Sequence, residues 1–360
     1  MSESQASRVS HPKQVAALVD ERARPLAARW PGVQVAVAVE QGGACWAGSW
    51  RAGVWSDDPG PRCLIYSVTK PVLALLVLQL VARGAVDLDA PVARWLPEAP
   101  HGNRVTARQL LRHTSGMPDY GPLREYHAAV RATPECPWRD EEFLARAVPG
   151  PLDFAPDAGW AYSNVGYLLL RRLVERAHGA SFATLFARDV AAPLALRQAR
   201  VAATLDDLLP LAPGFTDYLG PGADGAPVAD VRGRYHPGWV AHGVVAAPAA
   251  EVALVLRALL DGDLLPASLR AELTSAVRVP GDHPRFTAPS YALGLMTDPA
   301  APRGPTFGHT GGGPGYGAAA FHVRPATGAP PVTVAALGNA DVSDEMEALA
   351  LAVLDVLTAP

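Results

Sequence analysis

From Pro71 to Leu78 the chain carries an unbroken run of apolar residues, set inside a helix-like segment from Ser67 to about Arg83 that is apolar nearly all round. Such a helix has no face to turn to water, so it requires a core with other layers packed around it. Even continued to Ala82 the run is too short to span a bilayer, and Gly84 stands where a C′ residue ends a helix. The chain has the material to enclose it: 360 residues, 49% hydrophobic and 18% charged, which rules out global disorder. One large α/β unit or two intimate domains is the expectation. A net charge of −4 leaves no basic surplus for a phosphate backbone, so nucleic-acid binding is not expected.

Strand-like segments lie at both ends of the sequence. Val33 to Glu40 alternates and is β-branched, and Gly42-Gly43 turns it into a second strand, Ala44 to Trp50. Tyr291 to Thr297, Ala318 to Arg324 and Pro331 to Leu337 supply the rest. Residues 12–29 and 344–358 read as terminal helices. Between about Pro91 and Pro266 helical pieces at 106–113, 141–147, 164–178, 181–190 and 248–260 are separated by Pro and Gly, with few strand signals. Segments 116–140 and 210–240 read as long ordered loops. The economical architecture is a mixed α/β fold of the α+β kind. It has a central antiparallel sheet built from both ends, flanked by the terminal helices, with an inserted all-α region. The division expected is a disordered tail at 1–11, an α/β region at 12–90 plus 267–360, and a helical region at 91–266, with the active site in the cleft between the last two.

Three segments carry chemistry. In Tyr66-Ser67-Val68-Thr69-Lys70-Pro71, Ser67 and Lys70 are three residues apart and share a helix face. Free N–H groups and the positive end of the helix dipole favour developing negative charge there. A desolvated lysine can accept a serine proton; the alternative is a serine cap with a lysine one turn on. Of the 31 basic residues only Lys13 and Lys70 are lysine, against 29 arginines, and arginine cannot give up its proton. A second Ser-x-x-Lys, Ser10 to Lys13, lies in the polar N-terminal tail and reads as coincidence. Tyr162-Ser163-Asn164 precedes an apolar helix: it is either a plain N-cap or a phenol and an amide beside a nucleophile. His309-Thr310-Gly311-Gly312-Gly313 is either a glycine-rich turn or a strand edge open to a bound acyl chain.

Other chemistries lack their residues. There is no G-x-S-x-G elbow, no H-E-x-x-H and no G-K-[ST]. His236 and His242 could meet a metal, but solvated or core histidines are the plainer reading. Cys45, Cys63 and Cys136 form no CxxC pair, and Cys63 reads as a small buried hydrophobe. No cofactor and no metal are expected. The N-terminal residues show no apolar signal core, so a cytoplasmic location is expected.

Taken together and in order, Ser67-Val-Thr-Lys70, Tyr162-Ser-Asn164 and His309-Thr-Gly311 resemble the three signature elements of the serine β-lactamase and penicillin-recognising superfamily. The nearest branch holds DD-carboxypeptidases, class C β-lactamases and family VIII esterases. The segments Leu110 to Tyr120, with His113, Gly116 and Asp119, and Gly243 to Pro248 resemble further shared loops, and the likeness runs over roughly 12–358. The resemblance implies a β-lactamase-like fold and these roles. Ser67 is the acylated nucleophile, and Lys70 and Tyr162 relay its proton. The backbone N–H groups of Ser67 and Gly312 form the oxyanion hole. Asn164 contacts the acyl amide, while His309, Thr310 and Gly311 line the pocket, where a carboxylate would bind. Positive charge near Tyr162 is expected to lower its phenol pKa. His309 stands where class C β-lactamases carry lysine, which weakens a β-lactamase reading.

The resulting expectation is a serine hydrolase that cleaves a small ester or amide through an acyl-enzyme on Ser67, of esterase, D-amino-acid peptidase or amidase type. The alternative is an acyltransferase of a biosynthetic pathway that passes the acyl group to an amine or alcohol. A β-lactamase and a non-catalytic binding protein stand behind both. The expected partners are a small acyl substrate and, for transfer, an amine or alcohol acceptor, with no nucleic acid and no membrane.

Overall fold

The computed structural model describes residues 12–220 and 229–359. The expected tail at 1–11, Ser10 with it, and part of the 210–240 loop lie outside the described residues. Among the described residues the largest sheet has nine strands. Their spatial order is Val54–Ser56, Ala44–Arg51, Gln34–Gln41, Val332–Gly338, Tyr316–Val323, Thr306–Gly313, Met296–Asp298, Ser290–Tyr291 and Val277–Arg278. All neighbours are antiparallel. The two ends of the chain join where Gln34–Gln41 pairs with Val332–Gly338, Val35 opposite Gly338. The antiparallel sheet built from both ends is therefore as the sequence predicts.

Side chains alternate across this sheet, and the two faces differ in size. Val35, Val37, Val39, Phe321 and Val334 pack with Val15 and Val19 of helix Pro12–Arg29 and with Leu349 and Val353 of helix Ser343–Thr358. Ala36, Ala38, Ala318, Ala320 and Ala335 face the other way, into the core that holds the buried helix Lys70–Ala82. Alanine on that face lets helix Ala249–Asp261 lie close along the central strands. Leucine in place of Ala36 or Ala320 would overpack it, at about 1–3 kcal/mol. No helix among the described residues is long and apolar enough to cross a membrane.

Several local expectations change. The buried helix does not begin at Ser67: Tyr66–Thr69 is a 3-10 turn and the α-helix runs from Lys70 to Ala82, with Gly84 left-handed behind it. The 116–140 segment contains a helix, Arg124–Ala132, and helix Ala267–Thr274 was not expected. The segment expected at 181–190 is a short helix, Phe182–Phe186, running into a π turn at Ala187–Ala191. Tyr291 to Thr297 is a hairpin rather than one strand, with Tyr291 opposite Met296. The middle third also supplies strands. Arg200–Ala202 and Val244–Ala247 join Cys63–Leu64 in a three-stranded sheet that leads straight into the 3-10 turn.

Candidate active site

Ser67 is presented by a strained backbone. Tyr66 before it sits at φ 43°, a left-handed conformation that costs a bulky residue about 1–3 kcal/mol. Two contacts hold it there: its ring is buried, and its hydroxyl donates to the Pro314 carbonyl at 2.5 Å. The turn is tied to the small sheet as well, since Ile65 N donates to Val245 O at 2.9 Å and Val245 N to Thr69 Oγ1 at 3.1 Å. Ser67 emerges half-buried at the head of the buried helix.

Three elements converge on its hydroxyl. Lys70 Nζ, one turn on, lies 2.9 Å from Ser67 Oγ and donates to Asn164 Oδ1 at 2.8 Å. Tyr162 Oη donates to the same Ser67 Oγ at 2.9 Å. Tyr162 and Asn164 are carried by the start of helix Asn164–His178, which Ser163 caps through Gly166 N at 3.1 Å. Ser163 therefore caps the helix while Tyr162 and Asn164 point to Ser67 and Lys70. His113, left-handed at the end of a short helix, accepts from Ser163 N at 3.1 Å and packs its ring 4.4 Å from that of Tyr162.

Burial sets the electrostatics. Lys70 is fully buried, and desolvation pushes its amine well below the ordinary lysine range, with only the Asp119 charge pulling back. A lysine in that state gives up its proton more readily than an exposed one, which is the direction a base requires. The expectation for Tyr162 is corrected: burial pushes its phenol up, and the hydrogen bond to Ser67 only partly opposes this. The Lys70 amine lies 4.8 Å from the centre of the Tyr162 ring, and the Asp119 charge adds to the upward push of burial. Tyr162 thus holds its proton at neutral pH.

The glycine-rich segment is a strand, Thr306–Gly313, paired with Tyr316–Val323. It runs directly against the serine turn. A Cβ on Gly311 would collide with the Ile65 carbonyl and stand 2.9 Å from Ser67 N, so this position requires glycine. A main cleft of about 610 Å³ and a second chamber of about 300 Å³ meet here, both lined by Ser67 and Gly312. The main cleft is lined by Tyr120, Asn164, Trp239 and His242 together with the charged residues Arg29, Asp341, Asp344 and Glu345. The second chamber is lined by Trp160, Tyr162, Phe286, Tyr291, Met296, His309 and Thr310 and has no lysine or arginine. His309 is 2% exposed and burial pushes it down to about 3, so it is neutral. Its Nδ1 donates to the Thr310 carbonyl and its Nε2 lies 2.9 Å from Tyr291 Oη. A neutral ring with both nitrogens engaged offers no charge to a carboxylate.

Two residues had no assigned role in the sequence reading. Asp119, inside the Leu110 to Tyr120 segment, accepts from Asn164 N at 2.8 Å and from Asn164 Nδ2 at 3.1 Å, which turns Asn164 Oδ1 toward Lys70. His242, considered only for a metal, has its Nε2 3.5 Å from Lys70 Nζ. His236 instead caps a turn, accepting from Gly238 N at 2.9 Å. Cys63 is fully buried, and all three cysteines are free.

Comparison with known proteins places the fold and the family. The family described as Beta-lactamase matches residues 15–358. Esterase EstB of Burkholderia gladioli is 43% identical over 143 residues, 36% of this chain and 36% of the esterase. Penicillin-binding protein 4* of Bacillus subtilis (strain 168) is 27% identical over 267 residues, 69% of this chain and 55% of that protein. The match thus spans about a third to a half of these relatives' length. Among solved structures, a D-stereospecific amidohydrolase from Streptomyces sp. superposes with a TM-score of 0.77 at 28% identity, covering 93% of this chain and 98% of the other.

Proposed function

The chain belongs to the beta-lactamase family, and from that premise we propose that it is a serine hydrolase that cleaves a small ester or amide through an acyl-enzyme on Ser67. The observation that carries the reading is the hydroxyl of Ser67 held between Lys70 Nζ and Tyr162 Oη, each at 2.9 Å. The neutral Lys70 amine takes the serine proton as Oγ attacks the acyl carbon. The backbone N–H groups of Ser67 and Gly312 receive the oxyanion. Tyr162, still protonated, hands a proton to the leaving oxygen or nitrogen and is refilled from Lys70. Water then enters, gives its proton back along the same pair, and frees the acid. Asn164 anchors Lys70 and faces the acyl group, and Thr310 and Gly311 flank it. The proposal includes the division of the chain at 12–90 plus 267–360 against 91–266. The cleft draws its walls from both parts, Ser67 and Gly312 from one and Asn164 and His242 from the other.

The substrates proposed are esters and amides, which the esterase and amidohydrolase likenesses support, and among them those with an uncharged arm. The largely aromatic chamber, lined by no lysine or arginine and with its His283 already against Glu347 at 3.4 Å, favours them over carboxylate-bearing substrates. A second reading, transfer of the acyl group to an amine or alcohol, is favoured by the two chambers that meet at Ser67 and leave room for donor and acceptor together. Mass spectrometry after exposure to a fluorophosphonate tests the core of the proposal. The adduct should sit on the Ser67 peptide and be absent from Ser67→Ala, together with hydrolysis of a chromogenic short-chain ester. An adduct on Ser163 or on any other residue contradicts it. Products formed with and without an added amine separate hydrolysis from transfer.

A further inference from the structure

His242 is a buried titratable group beside Lys70 to which the proposed reaction gives no work, and its ring nitrogen comes nearer to Nζ than the ring of Tyr167, whose centre is 5.2 Å away. His242 is 1% exposed, its Nε2 lies 3.5 Å from Lys70 Nζ, and its ring lines the main cleft. Resting on the reading above, we infer that His242 is a positioning residue that aims the lone pair of Lys70 at Ser67.

The argument is a count of hydrogens. A neutral amine has two N–H donors and one lone pair, and which of its three directions holds the lone pair is set by its neighbours. Around Lys70 Nζ those neighbours are Ser67 Oγ at 2.9 Å, Asn164 Oδ1 at 2.8 Å and His242 Nε2 at 3.5 Å. The asparagine oxygen only accepts, so it takes one hydrogen. If His242 Nε2 takes the other, the lone pair must face the serine hydroxyl, the one partner with a proton to give. Without His242 the second hydrogen turns to Ser67 Oγ as readily, and the base then points its hydrogen rather than its lone pair at the nucleophile. After proton transfer the ammonium has three donors and the same three acceptors, which matters in a site where Lys70 meets no water. The 3.5 Å separation is long for a resting hydrogen bond, and such contacts tighten as reaction begins.

The imidazole has to be neutral with its lone pair on Nε2. Desolvation by burial pushes it well below the ordinary histidine range. Its hydrogen then sits on Nδ1, which makes no full hydrogen bond; the nearby backbone of Tyr66 is the group that favours a hydrogen on the ring.

The test follows the pre-steady-state burst of p-nitrophenolate released from p-nitrophenyl butyrate at neutral pH, together with KM and the melting temperature. His242→Met keeps bulk and removes the acceptor, and its burst rate should fall roughly 10- to 100-fold with KM little changed. His242→Gln carries an amide oxygen about as far out as Nε2 and should recover most of the rate. His242→Asn, equally polar but too short to reach Lys70, should stay slow. A His242→Met burst within about twofold of wild type, or a Gln variant as slow as the Asn variant at equal melting temperature, overturns the inference. A wild-type protein that gives no burst and no adduct on Ser67 overturns the reading it rests on, and the inference with it.

Discussion

Two clusters of ionisable groups, one where strand Tyr316–Val323 meets the end of helix Ala249–Asp261 and one at the head of helix Lys70–Ala82, are built to opposite ends. In one, His322 is fully buried, with Nε2 3.1 Å from Asp261 Oδ2, while Arg324 Nη2 stands 3.1 Å from Asp261 Oδ1 and Thr333 Oγ1 2.9 Å from His322 Nδ1. The carboxyl meets its partners directly, and His322 first and then Arg324 pull Asp261 down to about 2. In the other, Lys70 touches a hydroxyl, an amide oxygen and an imidazole, and no carboxylate. Asp119 is held off behind Asn164. A direct carboxylate contact would lock the ammonium in place. One amide inserted between Lys70 and Asp119 separates a structural ion cluster from a base ready for use.

That comparison can be broken in several ways. The largest effect should come from Lys70→Arg, which places a permanent cation where the account needs a group able to be neutral. The rate of Ser67 acylation should fall roughly 10²-fold or more, and near-normal turnover would make Lys70 a structural neighbour only. Next comes Asn164→Asp, which converts the second kind of cluster into the first. A carboxylate against Nζ raises the lysine pKa, so kcat/KM near pH 7 should drop about tenfold or more and recover as the pH is raised. A pH profile parallel to wild type would show that Asn164 does not govern the protonation of Lys70. The smallest effect is expected from Asp261→Asn, a stability change of about 1 kcal/mol in denaturant with activity intact, discounted because the carboxylate is partly exposed. Its sign follows from the depressed pKa. The stabilisation is present above the unfolded value near pH 4 and is lost as pH falls toward about 2, so the wild type should lose its advantage over the variant in that window.

How much of this was legible in the sequence depended on whether the signal was local. Helix Asn164–His178 matches the expected 164–178 because both ends are written in the chain, Ser163 as side-chain cap and Gly179 left-handed behind it. The gathering of Ser67, Lys70, Tyr162 and Asn164 was legible as a set of ordered motifs. The Thr306–Gly313 strand was ambiguous because its glycines give no β-propensity. Its pairing with Tyr316–Val323 and its approach to the Ser67 turn, both tertiary, make it a strand. Helix Arg124–Ala132 was hidden by the Pro, Gly and aromatic residues around it. The Tyr162 phenol was misjudged in direction because burial cannot be read from a tripeptide, and Asp119 and His242 act through Asn164 and Lys70, contacts far apart in sequence.

The central claim is that Lys70 rests neutral beside Ser67, and the composition allows it to be measured directly. With only Lys13 and Lys70 in the chain, a protein grown on ¹⁵N,¹³C-lysine gives two side-chain amine signals, and Lys13→Arg leaves only that of Lys70. Followed by NMR across pH, that signal should have the shift of a neutral amine at pH 7 and titrate well below the ordinary lysine value of 10.5. A Lys70 signal that remains an ammonium until the pH passes about 10 would contradict the account, because the group assigned as the base would then hold no lone pair to offer.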